Sequence, residues 1–280
     1  MTAPVMLIRA PTRERIGGTT FLRYVYGRAL NEGRDCDAAD FDRRGQVFRT
    51  FFKRHAKADA FYRQGMKSGA WETCMVPTSG ETAHLKADIT ACVNGIAEAQ
   101  RSLVVDFAGS EGAVMEYARD NSLTDVCELA GVRLTVVAMV GPGAQDIATV
   151  MRLVKSKMFQ PHELLLVCNG GLVREGEDFL AAYGKFLVAP GAGEERDPDI
   201  IALIDDGARV MAMPRFDYVA DVEAARADFF TAAERSNATL GVVQRINAGI
   251  WLYGNVKGER IIKAGMAQMV DVSGAKDALP

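Results

Sequence analysis

The sequence predicts a doubly wound α/β fold, in which helices flank both faces of a mostly parallel sheet. Short apolar runs recur along the chain, and they are continuous rather than alternating, as expected for strands buried on both faces. Longer segments of helical period separate these runs, which implies parallel strands joined by crossover helices. The chain also contains 27 glycines but only nine prolines, a balance that favours many tight turns between strands and helices.

Each element follows from the local pattern of apolar residues. Strands are predicted over residues 5–8, 103–105, 134–140, 164–168 and 210–213, with residues 71–76 as a weaker candidate. Helices are predicted over residues 19–31, 45–57, 83–101, 113–129, 144–157 and 219–236. Strands and helices continue to alternate past residues 189–198, the segment APGAGEERDP, so we expect that segment to be a surface loop. This order predicts one domain over residues 1–253, followed by a C-terminal tail over 254–280.

Composition excludes several classes of protein. A net charge of −3 on 280 residues leaves no global excess of positive charge for indiscriminate binding to nucleic acid. No apolar run reaches the roughly 20 residues of a membrane span. The short apolar run near the N-terminus, residues 5–8, is well below the length of a signal-peptide core, so we expect a cytoplasmic protein without a membrane span. The five cysteines and three histidines are scattered without the spacing of a zinc site.

The loop after the first predicted strand carries the clearest functional signal. An apolar strand, a loop containing Gly17 and Gly18, two threonines and a helix follow one another. That layout is typical of a phosphate-binding loop, whose backbone N–H groups and helix dipole attract anions. A functional loop of this kind also carries a lysine beside the phosphates, and Gly18 stands in its place. The alternative is an ordinary glycine turn in which Thr19 caps the helix.

This loop resembles the deviant Walker A motif of ParA/MinD-type ATPases, a pattern close to KGGxGK[ST]T after the first strand. The resemblance places Arg13 at the signature lysine, and it places Glu14 and Arg15 at the two glycines that follow. Gly17 falls at the next glycine, Gly18 at the phosphate-contacting lysine and Thr19 at the magnesium-binding hydroxyl, with Thr20 after it.

Other motifs extend the resemblance to about residue 250. The segment 37–42 corresponds to an acidic DxD motif, in which Asp40 is the first acid and the candidate catalytic residue that positions water and magnesium. The apolar run ending in Asp106 resembles a Walker B strand, which implies that Asp106 lies beside the metal. Asn169 and Pro214 correspond to residues near the nucleotide base. Within the family, these details look like the TraL and StbB-type relatives of ParA in conjugation and plasmid stability.

The resemblance implies ATP and Mg²⁺ as cofactors, a homodimer, and protein partners from a plasmid transfer or partition system. It implies Mg²⁺ ligation by Thr19, Asp40 and Asp106. The nucleotide-binding candidates are Arg13, Arg15, Gly17, Gly18, Thr19, Thr20, Asn169 and Pro214.

Because the loop departs from the motif, three functions stay open. The chain is a nucleotide-gated or pseudo-ATPase scaffold, an active ATPase that uses Arg13 or Arg15 instead of the lysine, or a structural scaffold that binds no nucleotide. Loss of the lysine removes a contact to a charged group worth about 1.5 to 3 kcal/mol, so we expect weak or absent hydrolysis.

A basic segment over residues 43–63 is a second candidate surface. It carries seven basic residues and a single acid, Asp59. Arg49, Lys53 and Lys57 share one face of the predicted helix. This patch is a candidate for contact with DNA or an acidic partner, with a solvated helix face as the alternative. The residues predicted to make this contact are Arg44, Arg49, Lys53, Arg54 and Lys57.

Overall fold

The fold was analysed on a computed structural model of the full chain. The structure describes residues 3–10, 15–41, 74–75, 82–107, 117, 122–155, 163–183, 198–225, 227–257, 260–263 and 266. The basic segment 43–63 and Arg13 lie outside these residues, so the expectations for them stay predictions.

Seven strands form one sheet, and every pairing between neighbours in it is parallel. Its spatial order is β3-β2-β4-β1-β5-β6-β7, which confirms the doubly wound prediction. The observed bounds extend the five stronger predicted runs by at most one residue at either end, and β3 lies within the weaker candidate 71–76. The strands are β1 Val5–Arg9, β2 Cys36–Asp40, β3 Cys74–Met75, β4 Ser102–Asp106, β5 Arg133–Val140, β6 Glu163–Asn169 and β7 Arg209–Met213.

Helices cover both faces of the sheet because alternate residues of each strand point to opposite faces. In β1, Val5 and Leu7 belong to one apolar cluster, and Met6 and Ile8 belong to the other. The first cluster takes in residues of α1 Gly18–Asn31, α7 Val219–Ala224, α8 Phe229–Ala233 and α9 Val242–Tyr253. The second takes in residues of α2 Thr82–Ala99, α3 Leu123–Leu129, α4 Ala144–Lys155, α5 Phe179–Ala182 and α6 Pro198–Asp205.

Two segments differ from the sequence prediction. The helix expected over 219–236 is two helices, α7 and α8, because Asp228 caps a new N-terminus: its carboxylate accepts a hydrogen bond from the Thr231 N–H at 2.7 Å. Part of the segment expected as a tail forms an antiparallel pair, β8 Asn255–Lys257 and β9 Arg260–Lys263.

A buried arginine anchors α1 to the helices that follow β7. Arg23 is 2% exposed, and its Nη1 donates to Glu223 Oε1 at 2.9 Å while its Nη2 donates to the Ala227 carbonyl at 3.1 Å. Its guanidinium also lies 4.9 Å from the centre of the Phe229 ring. Burial lowers the pKa of Arg23, and the charge of Glu223 opposes that shift. This side chain therefore joins parts of the chain that are about two hundred residues apart in sequence.

None of the helices that the structure describes is long and apolar enough to cross a membrane. Among the described cysteines, Cys36, Cys92, Cys127 and Cys168 are buried free thiols. Burial raises the pKa of each of them. These thiols pack as small apolar groups rather than as nucleophiles.

Candidate functional site

The carboxyl ends of β1 and β4 lie side by side at the centre of the sheet. These strands are neighbours, but the helix that follows β1 packs on one face and α3, the next described helix after β4, packs on the other. A point where adjacent connections diverge in this way is where ligands bind in open α/β sheets. The loop from Arg15 to Gly17, Asp106 and the start of α1 all lie at this edge.

Two predicted acids lie side by side at this edge. Asp40 ends β2, Asp106 ends β4, and the two residues are register partners in the parallel pair. Neighbouring strands are about 4.8 Å apart, so the two carboxylates belong to one site. Asp40 is 2% exposed and Asp106 is fully buried. The structure thus brings together two of the three residues predicted to hold magnesium.

The turn before α1 has left-handed backbone at two positions. Arg15 has a φ of 61° and Gly17 has a φ of 89°. The Arg15 side chain is exposed, whereas Gly17 packs against the ends of β6 and β7. A Cβ on Gly17 would clash with the Asn169 side-chain amide and would lie 3.0 Å from Met213 Cε. Glycine is therefore required at 17 both for its backbone conformation and for space.

Replacing Gly17 by alanine is expected to lower the free energy of unfolding by about 2 kcal/mol. Roughly 1 kcal/mol comes from forcing a residue with a Cβ into left-handed backbone, and the clash with Asn169 adds to it. Gly176→Ala is a matched control, because Gly176 has a φ of 82° and nothing within 4 Å of the added Cβ. Urea denaturation of both variants measures the difference. Equal losses would contradict the proposed packing of Gly17 on Asn169.

Asn169 holds this turn in place. Its Nδ2 donates to the Ile16 carbonyl at 2.8 Å, and its Oδ1 accepts from the Gly171 N–H at 2.8 Å. The side chain therefore couples the end of β6 to the loop after β1, a role that sequence reasoning missed. Contact of Asn169 with a nucleotide base stays a prediction, as does the corresponding role of Pro214. The Pro214 carbonyl accepts a hydrogen bond from the Trp251 indole at 2.9 Å.

Sequence reasoning also missed Arg9, the last residue of β1. Its Nε lies 3.2 Å from Asp106 Oδ1 and its Nη1 donates to Thr19 Oγ1 at 3.3 Å, while its Nη2 donates to the Phe107 carbonyl. The Arg9 side chain is 11% exposed and that of Asp106 is 1% exposed. A guanidinium thus bridges β1, β4 and the first turn of α1. A charged residue directly after the apolar run of residues 5–8, four positions before Arg13, was the signal in the sequence.

Gly18 leaves space for this guanidinium. A Cβ on Gly18 would overlap the aliphatic part of Arg9 and would lie 2.7 Å from its Nη1. Real Cβ atoms essentially never come that close to another heavy atom. The glycine at the position of the expected lysine and the arginine beside it are parts of one arrangement.

The residues present do not fit Mg²⁺ in the way that the resemblance implies. Two of the three groups predicted as ligands, the Asp106 carboxylate and the Thr19 hydroxyl, both contact the Arg9 guanidinium. A divalent ion between them would meet a positive charge that is already in place. Over the described part of the chain, no group of three or more His, Cys, Asp and Glu side chains is arranged to hold a metal.

Comparison with solved structures identifies the fold. The MinC:MinD cell division protein complex of Aquifex aeolicus aligns over 92% of this chain and 100% of its own, at 12% identity and a TM-score of 0.50. The MinD cell division protein of Aquifex aeolicus aligns over 91% and 99%, at 13% identity and a TM-score of 0.50. The chain has the P-loop NTPase fold of MinD. At this identity the likeness extends to the fold alone. No protein-family model matches the sequence, and a search of curated proteins found no match.

Proposed function

We propose that this chain is a ParA-like nucleotide-binding scaffold, which binds a phosphate-bearing nucleotide between β1 and β4 without hydrolysing it quickly. The observation that supports this proposal is the backbone geometry of the turn at Gly17 and of the helix start that follows it. The left-handed turn leads directly into the fourteen-residue helix α1, and no side chain caps its N-terminus. The first-turn N–H groups and the positive end of the helix dipole lie beside Arg9, a combination that attracts phosphate.

The described residues of this site differ from the groups that accelerate hydrolysis in P-loop enzymes. Gly18 has no charge to place on the phosphates, and the Arg9 guanidinium is held by Asp106, Thr19 and the Phe107 carbonyl. Removing one preorganised donor to a transition state typically costs about 10² to 10³ in rate. The proposal therefore favours a pseudo-ATPase over an ATPase that uses Arg13 or Arg15 in place of the lysine.

Calorimetry of the full chain with ATP and with ADP tests this function. We expect saturable binding of the nucleotide at micromolar to millimolar concentration, with no phosphate release above the protein-free rate in a colorimetric assay. Thr19→Val should weaken binding by about tenfold, because it removes a hydroxyl at the site that is worth about 1.5 kcal/mol. Thr149→Val is the matched control, since the Thr149 hydroxyl is exposed and bonds only its own helix, at the Gln145 carbonyl.

The outcomes separate the three functions that the sequence left open. Absence of binding at millimolar nucleotide would contradict the proposal and would favour the structural scaffold. Binding with rapid phosphate release would favour the active ATPase. Equal weakening by Thr19→Val and Thr149→Val would show that the nucleotide does not bind at the start of α1.

The biological setting rests on the sequence resemblance. We propose that the chain binds protein partners of a plasmid conjugation, partition or stability system and that it forms a homodimer. Light scattering with and without ATP tests the dimer. The basic segment is the proposed surface for DNA, and a shift assay on a variant with Arg49, Lys53 and Lys57 changed to Glu tests it.

A further inference from the structure

We propose that Arg9 is the permanent cation of this site and that it replaces both the P-loop lysine and the divalent ion. A phosphate ligand would then bind here without a metal. The identity of the ligand rests on the proposed function, whereas the exclusion of a divalent ion rests on the contacts of Arg9 alone. Neither Arg13 nor Arg15, the arginines that the sequence offered as substitutes, is needed for this role.

The contacts of Arg9 coincide with the ligands that a divalent ion would need. Asp106 is the only Walker B-like carboxylate on β4, and its Oδ1 lies 3.2 Å from Arg9 Nε. The Thr19 hydroxyl lies 3.3 Å from Arg9 Nη1. The nearly buried guanidinium compensates the charge of the buried carboxylate, as burial of a carboxylate requires. A divalent ion at the same oxygens would be repelled by that guanidinium at short range.

The surrounding backbone is shaped for the guanidinium. The space that a side chain at position 18 would fill is taken by Arg9 Cδ, Nη1 and Nε. A lysine at 18 and Arg9 in this place exclude each other. Arg9 also donates a hydrogen bond to the Phe107 carbonyl. If its side chain moved away from Gly18, it would lose its contacts with Asp106, Phe107 and Thr19. Arg9 on β1 thus supplies the positive charge that a lysine at position 18 would have supplied.

Arg9 can still bind an anion in this position. A guanidinium has more N–H donors than its contacts with Asp106, Thr19 and Phe107 use. Its planar fork matches the geometry of phosphate oxygens. The N-terminus of α1 begins beside it at Gly18, so the backbone N–H groups of the first turn and the guanidinium lie close together at this edge of the sheet.

Two measurements on the unaltered full chain test the proposal. Electron paramagnetic resonance of Mn²⁺ without nucleotide should show no site tighter than millimolar. Calorimetry with ATP in EDTA should give an affinity within about threefold of that in Mg²⁺, after correction for Mg²⁺ binding to free ATP. A micromolar Mn²⁺ site in the unaltered chain, or ATP binding that requires Mg²⁺, would overturn the proposal. If ATP binds under neither condition, the proposed function fails, and the Mn²⁺ measurement still decides the role of Arg9.

The variant Arg9→Gln should allow a divalent ion to bind at this site. Without the guanidinium, the buried carboxylate of Asp106 is expected to bind Mn²⁺ at least tenfold more tightly than it does in the unaltered chain. Arg152→Gln is the matched control, because Arg152 is exposed on α4, and it should leave Mn²⁺ binding unchanged. If Arg9→Gln does not fold, Arg9→Lys keeps the charge and should exclude Mn²⁺ as the unaltered chain does. No gain of Mn²⁺ binding in folded Arg9→Gln would overturn the proposal.

Discussion

Replacing Arg23 by alanine is expected to lower the free energy of unfolding by about 3 kcal/mol. The side chain is among the largest that the fold buries completely, and truncation of a large buried side chain typically costs about 2 to 5 kcal/mol. The Ala227 carbonyl would also lose its donor, which costs about 1 kcal/mol or more in a buried place. Urea denaturation followed by circular dichroism measures the loss.

Two further variants separate packing from charge at Arg23. Arg23→Met keeps most of the volume, so its loss should be smaller, near 1 to 2 kcal/mol, in line with the mild effect of apolar replacements of buried charges. Glu223→Gln should cost less than about 1 kcal/mol, because the Glu223 side chain is 38% exposed and its charge is screened by water. A loss below 1 kcal/mol for Arg23→Ala would contradict the role of Arg23 as the anchor of α1.

Replacing Asp106 by leucine is expected to cost a similar amount, about 3 kcal/mol. This change leaves the Arg9 guanidinium in a nearly buried place without the carboxylate that compensates its charge. Asp106→Asn should cost less, because it keeps the shape of the side chain and leaves a polar oxygen beside the Arg9 guanidinium. Denaturation in urea of each variant gives the comparison.

A double-mutant cycle shows whether the cost comes from the pair. The combined variant Arg9→Met with Asp106→Leu removes both charges, so its loss should be at least 1 kcal/mol smaller than the sum of the two single losses. Losses that add within about 0.5 kcal/mol would mean that Arg9 and Asp106 do not stabilise each other. The cycle concerns stability alone, so it is independent of whether a nucleotide binds.

The main strands were predictable because each is a continuous apolar run with turn residues at its ends. β2 escaped the apolar pattern, since two of its five residues, Asp37 and Asp40, are acids. Asp37 is buried at the other end of the strand, where Arg101 donates to both of its carboxylate oxygens at 2.8 and 3.1 Å. Arg101, the residue before β4, thus pairs with this buried acid inside the sheet, and the distance between the two residues in sequence concealed the pairing.

The candidate site was predictable in outline, but its cation was not. Gly17, Thr19, Asp40 and Asp106 lie at one edge because parallel strands bring their carboxyl ends together. Arg13 and Arg15 were the predicted substitutes for the lysine because they lie close to position 18 in sequence. Arg9, which directly follows the apolar core of β1, contacts residues that are about one hundred positions away. A sequence pattern within one loop cannot reveal a contact between residues so far apart along the chain.

The sequence by itself determined the positions of the main strands, the position of the turn before α1, and the absence of a lysine at position 18. These features are local, because periodicity, turn chemistry and residue identity depend on neighbours along the chain. Tertiary structure alone decided that Arg9 fills the space beside Gly18, that it contacts Asp106 and Thr19, and that Asn169 supports the turn. Those contacts depend on which strands lie side by side in the sheet, and pairing brings together side chains that are remote in sequence.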